Sequence, residues 1–160
     1  MSARFGIGFD VHRLVEGRRL MLGGVEIAHD LGLDGHSDAD VLAHAVIDAL
    51  LGAAGLGDIG LHFPDNDDRW RDADSLDLLR RVSALLDDRG LTVVHVDATV
   101  MAEAPRVAPH RDAMSGNLAF ALGVEPGAVN IKATRGEGMG FVGRREGIAA
   151  LAVATVEQAV

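Results

Sequence analysis

The sequence predicts an α+β fold in which helices cover one face of a small mixed β-sheet. Alternating β-branched segments, segments with apolar residues at helical spacing, and the interleaving of the two along 160 residues indicate this fold. The hydrophobic content of 48% and charged content of 24% are typical of a globular protein. We therefore expect a two-layer sandwich of ferredoxin-like topology, built as a single domain over residues 1–160.

Two strands and a helix open the predicted fold. Residues 3–14 and 18–27 alternate as strands do, and the second segment contains the pair Gly23–Gly24, where we expect a bulge or a close backbone approach. After Ser37 the apolar residues recur at helical spacing, and Ser37 with Asp40 resembles a capping box. A polar segment of about 15 to 20 residues follows, and its length and its Gly, Pro, Asn and Asp content predict a functional or mobile loop.

The second half alternates between helices and strands. Ser75 is predicted to cap a helix that ends at Gly90, and the alternating segment 91–103 predicts a strand that ends before Pro105. A helix over 109–122, a strand over 129–134 and a closing helix over 145–160 complete the prediction. In this β-β-α-α-β-α-β-α order one sheet face carries no helix, so we expect subunits to pair through that face.

Charge and composition exclude several functions. The chain has 24 acidic against 15 basic residues and a net charge of −9, which argues against nucleic-acid and anionic membrane partners. It has no cysteine, so histidines and carboxylates are the expected ligands of any tightly held metal. The N-terminal sequence lacks signal-peptide features, and no apolar run approaches the roughly 20 residues that span a bilayer. We expect a cytoplasmic protein.

Three residues form a candidate metal site. Asp10 and His12 lie two apart on a predicted strand, so their side chains share a face. His44 follows Asp40 by four on the predicted helix, where an imidazole among Ala and Leu needs a polar partner. Two imidazoles and a carboxylate suit zinc with an open fourth position. The spacing alone also allows a solvent-facing Asp–His pair and a half-buried histidine without a metal.

A series of segments gives a resemblance to a known family. GFDVHR, LGGVEI, DGHSDADVLAHAVIDALLGAAGLGDIGLHFPDND, EAPR, NIKAT and GFVGRREGIA follow one another as in the 2-C-methyl-D-erythritol 2,4-cyclodiphosphate synthases. The resemblance runs from about Phe5 to near the C-terminus. It implies a single catalytic domain that acts as a cyclising phosphorus–oxygen lyase. The substrate would be 4-diphosphocytidyl-2-C-methyl-D-erythritol 2-phosphate, and the products the cyclodiphosphate and CMP, in the non-mevalonate route to isoprenoid precursors.

The resemblance also implies site residues. Zn²⁺, or another divalent transition metal, would bind Asp10, His12 and His44, and a Mg²⁺ or Mn²⁺ ion bridging the substrate diphosphate would bind Glu137. His36 matches a histidine that positions phosphate and stabilises the transition state, and Thr134 lies with Glu137 in a segment that contacts phosphate and metal. The positions that match substrate-binding residues are Ser37 for phosphate; Asp58, Ile59, Gly60, Phe63, Pro64, Asp65, Asn66 and Asp67 for the methylerythritol part; and Ala102, Glu103, Ala104, Pro105, Arg106, Val107 and Ala108 for cytidine.

Arg135 departs from the family pattern, which usually has a second threonine directly after the first. Its guanidinium could contact phosphate more strongly than a hydroxyl, or it could swing out and leave Thr134 to act alone.

Two other functions stay open from the sequence. One is a zinc-dependent phosphoesterase that uses the same three metal ligands. The other is a trimeric cytidine-nucleotide-binding module whose turnover is reduced because of Arg135.

The family resemblance further implies a homotrimer with active sites between subunits. In some members a central channel holds an isoprenoid diphosphate, and Phe141 and Arg144 match the stretch near its mouth. The nearby glycines Gly138, Gly140 and Gly143 form a G-x-G-x-x-G pattern. A dinucleotide site would need a further strand with an acid about 20 residues on, but only 17 residues follow Gly143. We therefore expect a tight loop there rather than a dinucleotide site.

Overall fold

The computed structural model describes residues 2–158. Seven strands and five helices follow one another along this part of the chain. In order they are β1 (Ala3–Val15), β2 (Leu20–Leu22), β3 (Val25–Ile27), β4 (Gly32–Leu33), α1 (Val41–Ala54), α2 (Ile59–His62), α3 (Ser75–Asp87), β5 (Leu91–Met101), α4 (Arg111–Leu122), β6 (Val129–Thr134), α5 (Gly140–Gly143) and β7 (Gly147–Gln158).

Five of the strands form one mixed sheet in the order β4-β1-β7-β5-β6, and β2 and β3 form a separate hairpin. Only β5 and β6 pair in parallel within the described sheet; the other neighbours are antiparallel. Helices α1, α3 and α4 pack together against one sheet face. The predicted two-layer α+β sandwich is confirmed. Its connectivity departs from the β-α-β-β-α-β order of ferredoxin-like folds, because β5 and β6 are joined through α4.

The predicted closing helix over 145–160 is wrong where the structure describes it, because residues Gly147–Gln158 form β7. This strand lies between β1 and β5 and forms ladder hydrogen bonds on both sides. Its alanines favour a helix intrinsically, but pairing with two long neighbours outweighs that preference. Small inward side chains such as Ala150, Ala152 and Ala154 leave room for the helix above the sheet. Residues 159–160 of the prediction lie outside the described residues.

Three smaller predictions also differ from the structure. Residues 18–27 form the hairpin β2–β3 instead of one strand, because Gly23 and Gly24 both adopt positive φ and turn the chain. Helix α1 is capped by Asp40 and α3 by Asp74, so Ser37 and Ser75 are not the capping residues. The polar segment after α1 contains helix α2 and a 3₁₀ turn over Asp68–Trp70.

Glycines allow α1 to lie very close to β1. A Cβ atom at Gly6 would lie 1.9 Å from the carbonyl oxygen of Ala49, and one at Gly8 would lie 1.9 Å from that of Ala45. Neither approach is possible for a residue with a side chain. The glycines alternate with outward residues and share the inner face with Asp10 and His12. The same close packing therefore brings His44, next to Ala45, down to the sheet.

The opposite sheet face is apolar and exposed in the single chain. Phe5 is 70% exposed and Ile7 68%, and Phe9 and Val11 continue the row along β1. Leu151 and Val153 extend it onto β7. This confirms that helices leave one face of the sheet uncovered. Among residues 2–158, none of the helices has the length and apolar character needed to cross a membrane.

Candidate active site

Asp10, His12 and His44 meet where α1 crosses β1. Asp10 Oδ2 lies 2.9 Å from His12 Nε2 and 3.1 Å from His44 Nδ1, and the two ring nitrogens are 3.2 Å apart. The strand supplies two of the three groups from its inner face, and the helix supplies the third. These three atoms form a nearly equilateral triangle at the rim of the helix–sheet interface.

The triangle has the size that a zinc ion requires. Zinc bonds of about 2.0–2.1 Å in a tetrahedral site place ligand atoms roughly 3.3 Å apart. The three observed separations, 2.9, 3.1 and 3.2 Å, are close to this value. A carboxylate with two imidazoles is also a donor set found in catalytic zinc sites. The residues present therefore fit a divalent transition metal and leave a further coordination position for a ligand.

Hydrogen bonds from neighbouring groups orient both imidazoles. His12 Nδ1 lies 2.7 Å from the backbone oxygen of Asp34, so its Nε2 points into the triangle. His44 Nε2 lies 2.8 Å from Ser75 Oγ and 3.2 Å from Ser37 Oγ, so its Nδ1 points into the triangle. Outer contacts of this kind fix the ring orientation of metal-binding histidines. The site is prearranged by the fold.

The charges of the three groups are coupled. Burial of the Asp10 carboxyl group raises its pKa, but hydrogen bonds from His12 and His44 lower it more, and the net pKa lies well below the ordinary value. Burial lowers the pKa of His12, whereas the hydrogen bond and negative charge of Asp10 raise it above the ordinary value. A cation inside this triangle is thus favoured, whether it is a proton shared by these groups or a metal ion.

A pocket of about 430 Å³ opens beside the triangle. Its wall contains most of the residues predicted for phosphate and methylerythritol binding: His36, Ser37, Ile59, Gly60, Phe63, Pro64, Asp65 and Asn66. Asp58 and Asp67 support this wall from the side. Asp58 caps α2 by accepting from Leu61 N, and the backbone oxygen of Asp67 lies 3.0 Å from His36 Nε2. The polar segment predicted as a functional loop therefore forms one side of the pocket.

A second pocket, of about 360 Å³, lies where β5 and β6 end. It is lined by all of Ala102–Ala108, together with Ala133, Thr134, Arg135 and Arg111. Glu103 connects its two walls: its carboxylate accepts from Gly136 N at 2.8 Å and pairs with Arg135 at 3.2 Å. Burial raises the pKa of Glu103, but the Gly136 amide and the Arg135 charge lower it overall. Although it pairs with Glu103, the side chain of Arg135 is 65% exposed to solvent.

The remaining predicted residues lie outside both pockets. Glu137 is exposed in the turn after β6, with a φ of 53°, and is not part of the described metal-ligand triangle. Phe141 lies with Met139 in an apolar depression on α5. Arg144 pairs with Glu146 at 2.8 Å. The glycine-rich turn precedes a four-residue helix and then β7, which confirms a tight loop in place of a dinucleotide site.

Within one chain the two pockets are separate. They share no lining residue among those described. Asp10 pairs across the sheet with Ala150, which pairs with Val100, which pairs with Ala133. Three strand steps of about 4.8 Å therefore place the backbone of Asp10 roughly 14 Å from that of Ala133, which lines the second pocket. A single small ligand in the first pocket of one chain therefore does not contact the second pocket of that chain.

Sequence reasoning missed several residues around the first pocket. Trp70 and Leu78 line it, and Trp70 packs edge-on against Phe63 with ring centres 5.0 Å apart. The Trp70 Nε1 atom is buried and has no hydrogen-bond partner among residues 2–158. Asp38 and Ser75 lie behind His44. The aromatic residue in an acidic loop was an available signal for Trp70, whereas Ser75 resembled an ordinary helix cap.

Comparison with known proteins places this geometry in a family. The sequence profile of the YgbB family matches residues 3–157. The 2-C-methyl-D-erythritol 2,4-cyclodiphosphate synthase of Salinibacter ruber is 60% identical over 156 residues, which is 98% of this chain and 99% of that protein.

Solved structures agree with the sequence relatives. The bifunctional IspDF of Campylobacter jejuni superposes with a TM-score of 0.94 at 42% identity, covering 98% of this chain and 42% of that longer one. The IspF of Plasmodium falciparum, solved as a CDP complex, gives a TM-score of 0.86 at 28% identity and covers 99% and 98% of the two chains. From its fold, its aspartate–histidine triangle and its full-length similarity, the chain belongs to the YgbB family, the family of the 2-C-methyl-D-erythritol 2,4-cyclodiphosphate synthases.

Proposed function

We propose that this protein closes the ring of 2-C-methyl-D-erythritol 2,4-cyclodiphosphate at the Asp10–His12–His44 site. The substrate would be 4-diphosphocytidyl-2-C-methyl-D-erythritol 2-phosphate, and CMP would leave. A relative that matches the chain over its full length is named as the synthase of this cyclodiphosphate. The observation that carries the proposal is the triangle of three metal-ligand atoms, each within 3.2 Å of the others, at the wall of a pocket of about 430 Å³. Residues 1–160 would act as one catalytic domain.

This reaction needs positioning more than covalent help. The attacking 2-phosphate and the β-phosphorus belong to one molecule, so the protein has to hold them together and offset their negative charge. Zn²⁺ held by Asp10, His12 and His44 would supply Lewis-acid polarisation of phosphate oxygens. The oriented imidazoles support that assignment, because their outer nitrogens are already occupied by the backbone oxygen of Asp34 and by serine hydroxyls.

Residues in the wall of the first pocket would position the phosphate and the methylerythritol part of the substrate. We assign His36 to phosphate positioning, since it lines the pocket and its ring is held by the backbone oxygen of Asp67. Ser37 lies beside it. The methylerythritol part would contact the segment from Asp58 to Asp67. The apolar surface of Phe63 suits its carbon skeleton, and the carboxylates and backbone groups of this segment suit its hydroxyls.

The second pocket is proposed to bind the cytidine. Backbone groups of Ala102–Ala108 would read the base, and Arg106, Thr134 and Arg135 would face the diphosphate. Glu137 would hold a Mg²⁺ or Mn²⁺ ion, which would offset the negative charge of that diphosphate. The CDP complex of the Plasmodium falciparum relative supports a cytidine nucleotide as the ligand class.

The separation of the two pockets supports an active site shared between subunits. Within one chain, Asp10 of the metal triangle and Ala133 of the second pocket are about 14 Å apart across three strand steps. We propose a homotrimer in which each complete site takes the metal pocket from one subunit and the cytidine pocket from its neighbour. The exposed apolar row of β1 and β7 would be the buried face of this assembly.

Two further assignments follow from the family. An isoprenoid diphosphate in a central channel of the trimer would lie near Phe141 and Arg144. Phe141 and Met139 provide apolar surface there, although Arg144 already pairs with Glu146. A cytoplasmic location is proposed with the function.

The proposal is tested by removing one metal ligand. We expect His44→Ala to lose stoichiometric zinc, measured by elemental analysis after gel filtration, and to lose turnover. His29→Ala is the matched control, because the His29 ring forms its hydrogen bonds with the backbone of Leu31 in its own turn and lies outside the metal triangle. Zinc content and activity at the wild-type level in His44→Ala would refute the metal assignment.

A further inference from the structure

Ser75 and Asp38 lie directly behind the metal ligand His44. Ser75 is the first residue of α3, is fully buried, and its Oγ lies 2.8 Å from His44 Nε2. Its hydroxyl is in turn bonded to Asp38 Oδ1, and its backbone N–H donates to Asp38 Oδ2 at 3.1 Å. These contacts form a continuous chain from a carboxylate through a hydroxyl to an imidazole.

The donors and acceptors in this chain can be arranged in only one way. The carboxylate oxygens of Asp38 accept both from the backbone N–H and from the hydroxyl of Ser75, so the single hydroxyl hydrogen of Ser75 is donated to Asp38. Ser75 Oγ can then only accept from His44, which requires the hydrogen of the imidazole to be on Nε2. Ser37 Oγ, 3.2 Å from the same Nε2 and already accepting from Ala39 N, offers a second acceptor. A neutral His44 ring then has its lone pair on Nδ1, which faces Asp10 and His12 and can bind a metal ion.

We propose that Asp38 and Ser75 are positioning residues that fix the metal-binding tautomer of His44 and increase its affinity for the ion. The arrangement matches the carboxylate–histidine–metal pattern, with a serine hydroxyl inserted between the carboxylate and the ring. The fold provides a reason for its place: the Asp38 carboxylate also receives the first free N–H of α3, so the start of that helix and the ring of His44 are held by one group. The inference rests on the proposed function, because it requires that Asp10, His12 and His44 bind the metal.

The test measures zinc affinity by competition with a chromophoric chelator. Loss of an outer hydrogen-bond partner typically weakens metal binding about 10- to 100-fold, and we expect Ser75→Ala to fall in this range. Ser75→Thr keeps a hydroxyl and should return the affinity to within about threefold of wild type. The matched control is Ser83→Ala on the same helix, whose hydroxyl bonds only the backbone oxygen of Leu122; its zinc affinity should not change.

A second measurement does not depend on any variant. Nitrogen-15 NMR of the zinc-loaded wild-type protein should show His44 with Nε2 protonated and Nδ1 bound to the metal. A metal-bound or unprotonated Nε2 would overturn the proposal, as would a Ser75→Ala variant that binds zinc as tightly as wild type. If wild type and His44→Ala bind zinc with equal affinity, the metal site itself is refuted. The positioning role is then refuted too, because it depends on that site. If Ser75→Ala binds zinc as tightly as wild type but His44→Ala does not, the metal site is supported and the positioning role is refuted.

Discussion

At the scale of single residues, Arg135 stands where the family resemblance leads us to expect a second threonine. Its guanidinium pairs with Glu103 at 3.2 Å across the second pocket, and the same carboxylate holds the Gly136 amide. The side chain therefore has a partner at the pocket rim, although it is largely exposed. A cation in this position can attract the substrate diphosphate without taking part in the transition state.

We expect Arg135→Thr to raise KM about tenfold and to change kcat less than about threefold, because one charge-assisted hydrogen bond to phosphate is lost in the bound state and the transition state alike. Steady-state kinetics with the cytidylyl substrate separates the two constants. A rise in kcat would show that the native arginine impairs catalysis. A large fall in kcat at unchanged KM would show that the guanidinium acts in the transition state.

At the scale of elements, the geometry of the metal site depends on how closely α1 lies on β1. Gly8 is the decisive contact, because a Cβ there would lie 1.9 Å from the carbonyl oxygen of Ala45 and 2.6 Å from the backbone nitrogen of Ala49. Backbone atoms of a helix cannot yield locally, so the whole helix has to move. His44 moves with it.

Gly8→Ala should lower the free energy of unfolding by about 3 kcal/mol, the upper range for overpacked cores. Zinc affinity should fall at least roughly tenfold, since metal–ligand distances tolerate only about 0.2 Å of change. Thermal melting and chelator competition measure the two effects. Gly116→Ala in α4 is the matched control, because nothing lies within 4 Å of its added Cβ; it should be neutral or up to about 1 kcal/mol more stable. Wild-type zinc affinity in Gly8→Ala would contradict this account.

The elements also show what the sequence could predict. The i and i+2 spacing of Asp10 and His12 on a strand was enough to place both on one face, and the helical spacing placed His44 on α1. Whether the β7 segment is a helix or a strand could not be predicted in the same way. Its alanines and alternating valines suit a helix or a strand, and only its place between β1 and β5 decides between them. Ser75 was visible as a helix start, but its contact with His44 depends on how α1 and α3 pack.

At the scale of the whole molecule, the two faces of the sheet carry different groups of residues. Residues of β1 with even numbers, including Asp10 and His12, face the helices and the metal pocket, whereas Phe5, Ile7 and Phe9 face outward. A substitution on the outer row can therefore disturb association without touching the metal triangle.

We expect Ile7→Lys to convert the proposed trimer to monomers in sedimentation velocity, because a buried, unpaired charge at the centre of the interface is costly. The monomer should still bind zinc but should lose turnover, since it lacks the neighbour's cytidine pocket. Phe120→Lys is the control: Phe120 is 80% exposed but lies on helix α4, in the other layer. A wild-type monomer with full activity, or an active Ile7→Lys monomer, would contradict the shared site.

The central claim concerns the product. Phosphorus NMR of the protein incubated with 4-diphosphocytidyl-2-C-methyl-D-erythritol 2-phosphate, Zn²⁺ and Mg²⁺ tests it most directly. The account predicts two coupled resonances of a cyclic diphosphate, together with CMP in equal amount. Inorganic phosphate or a linear phosphate product would indicate hydrolysis. Unchanged substrate, together with measurable binding of separately added CDP, would indicate a binding module. Either result would contradict the account.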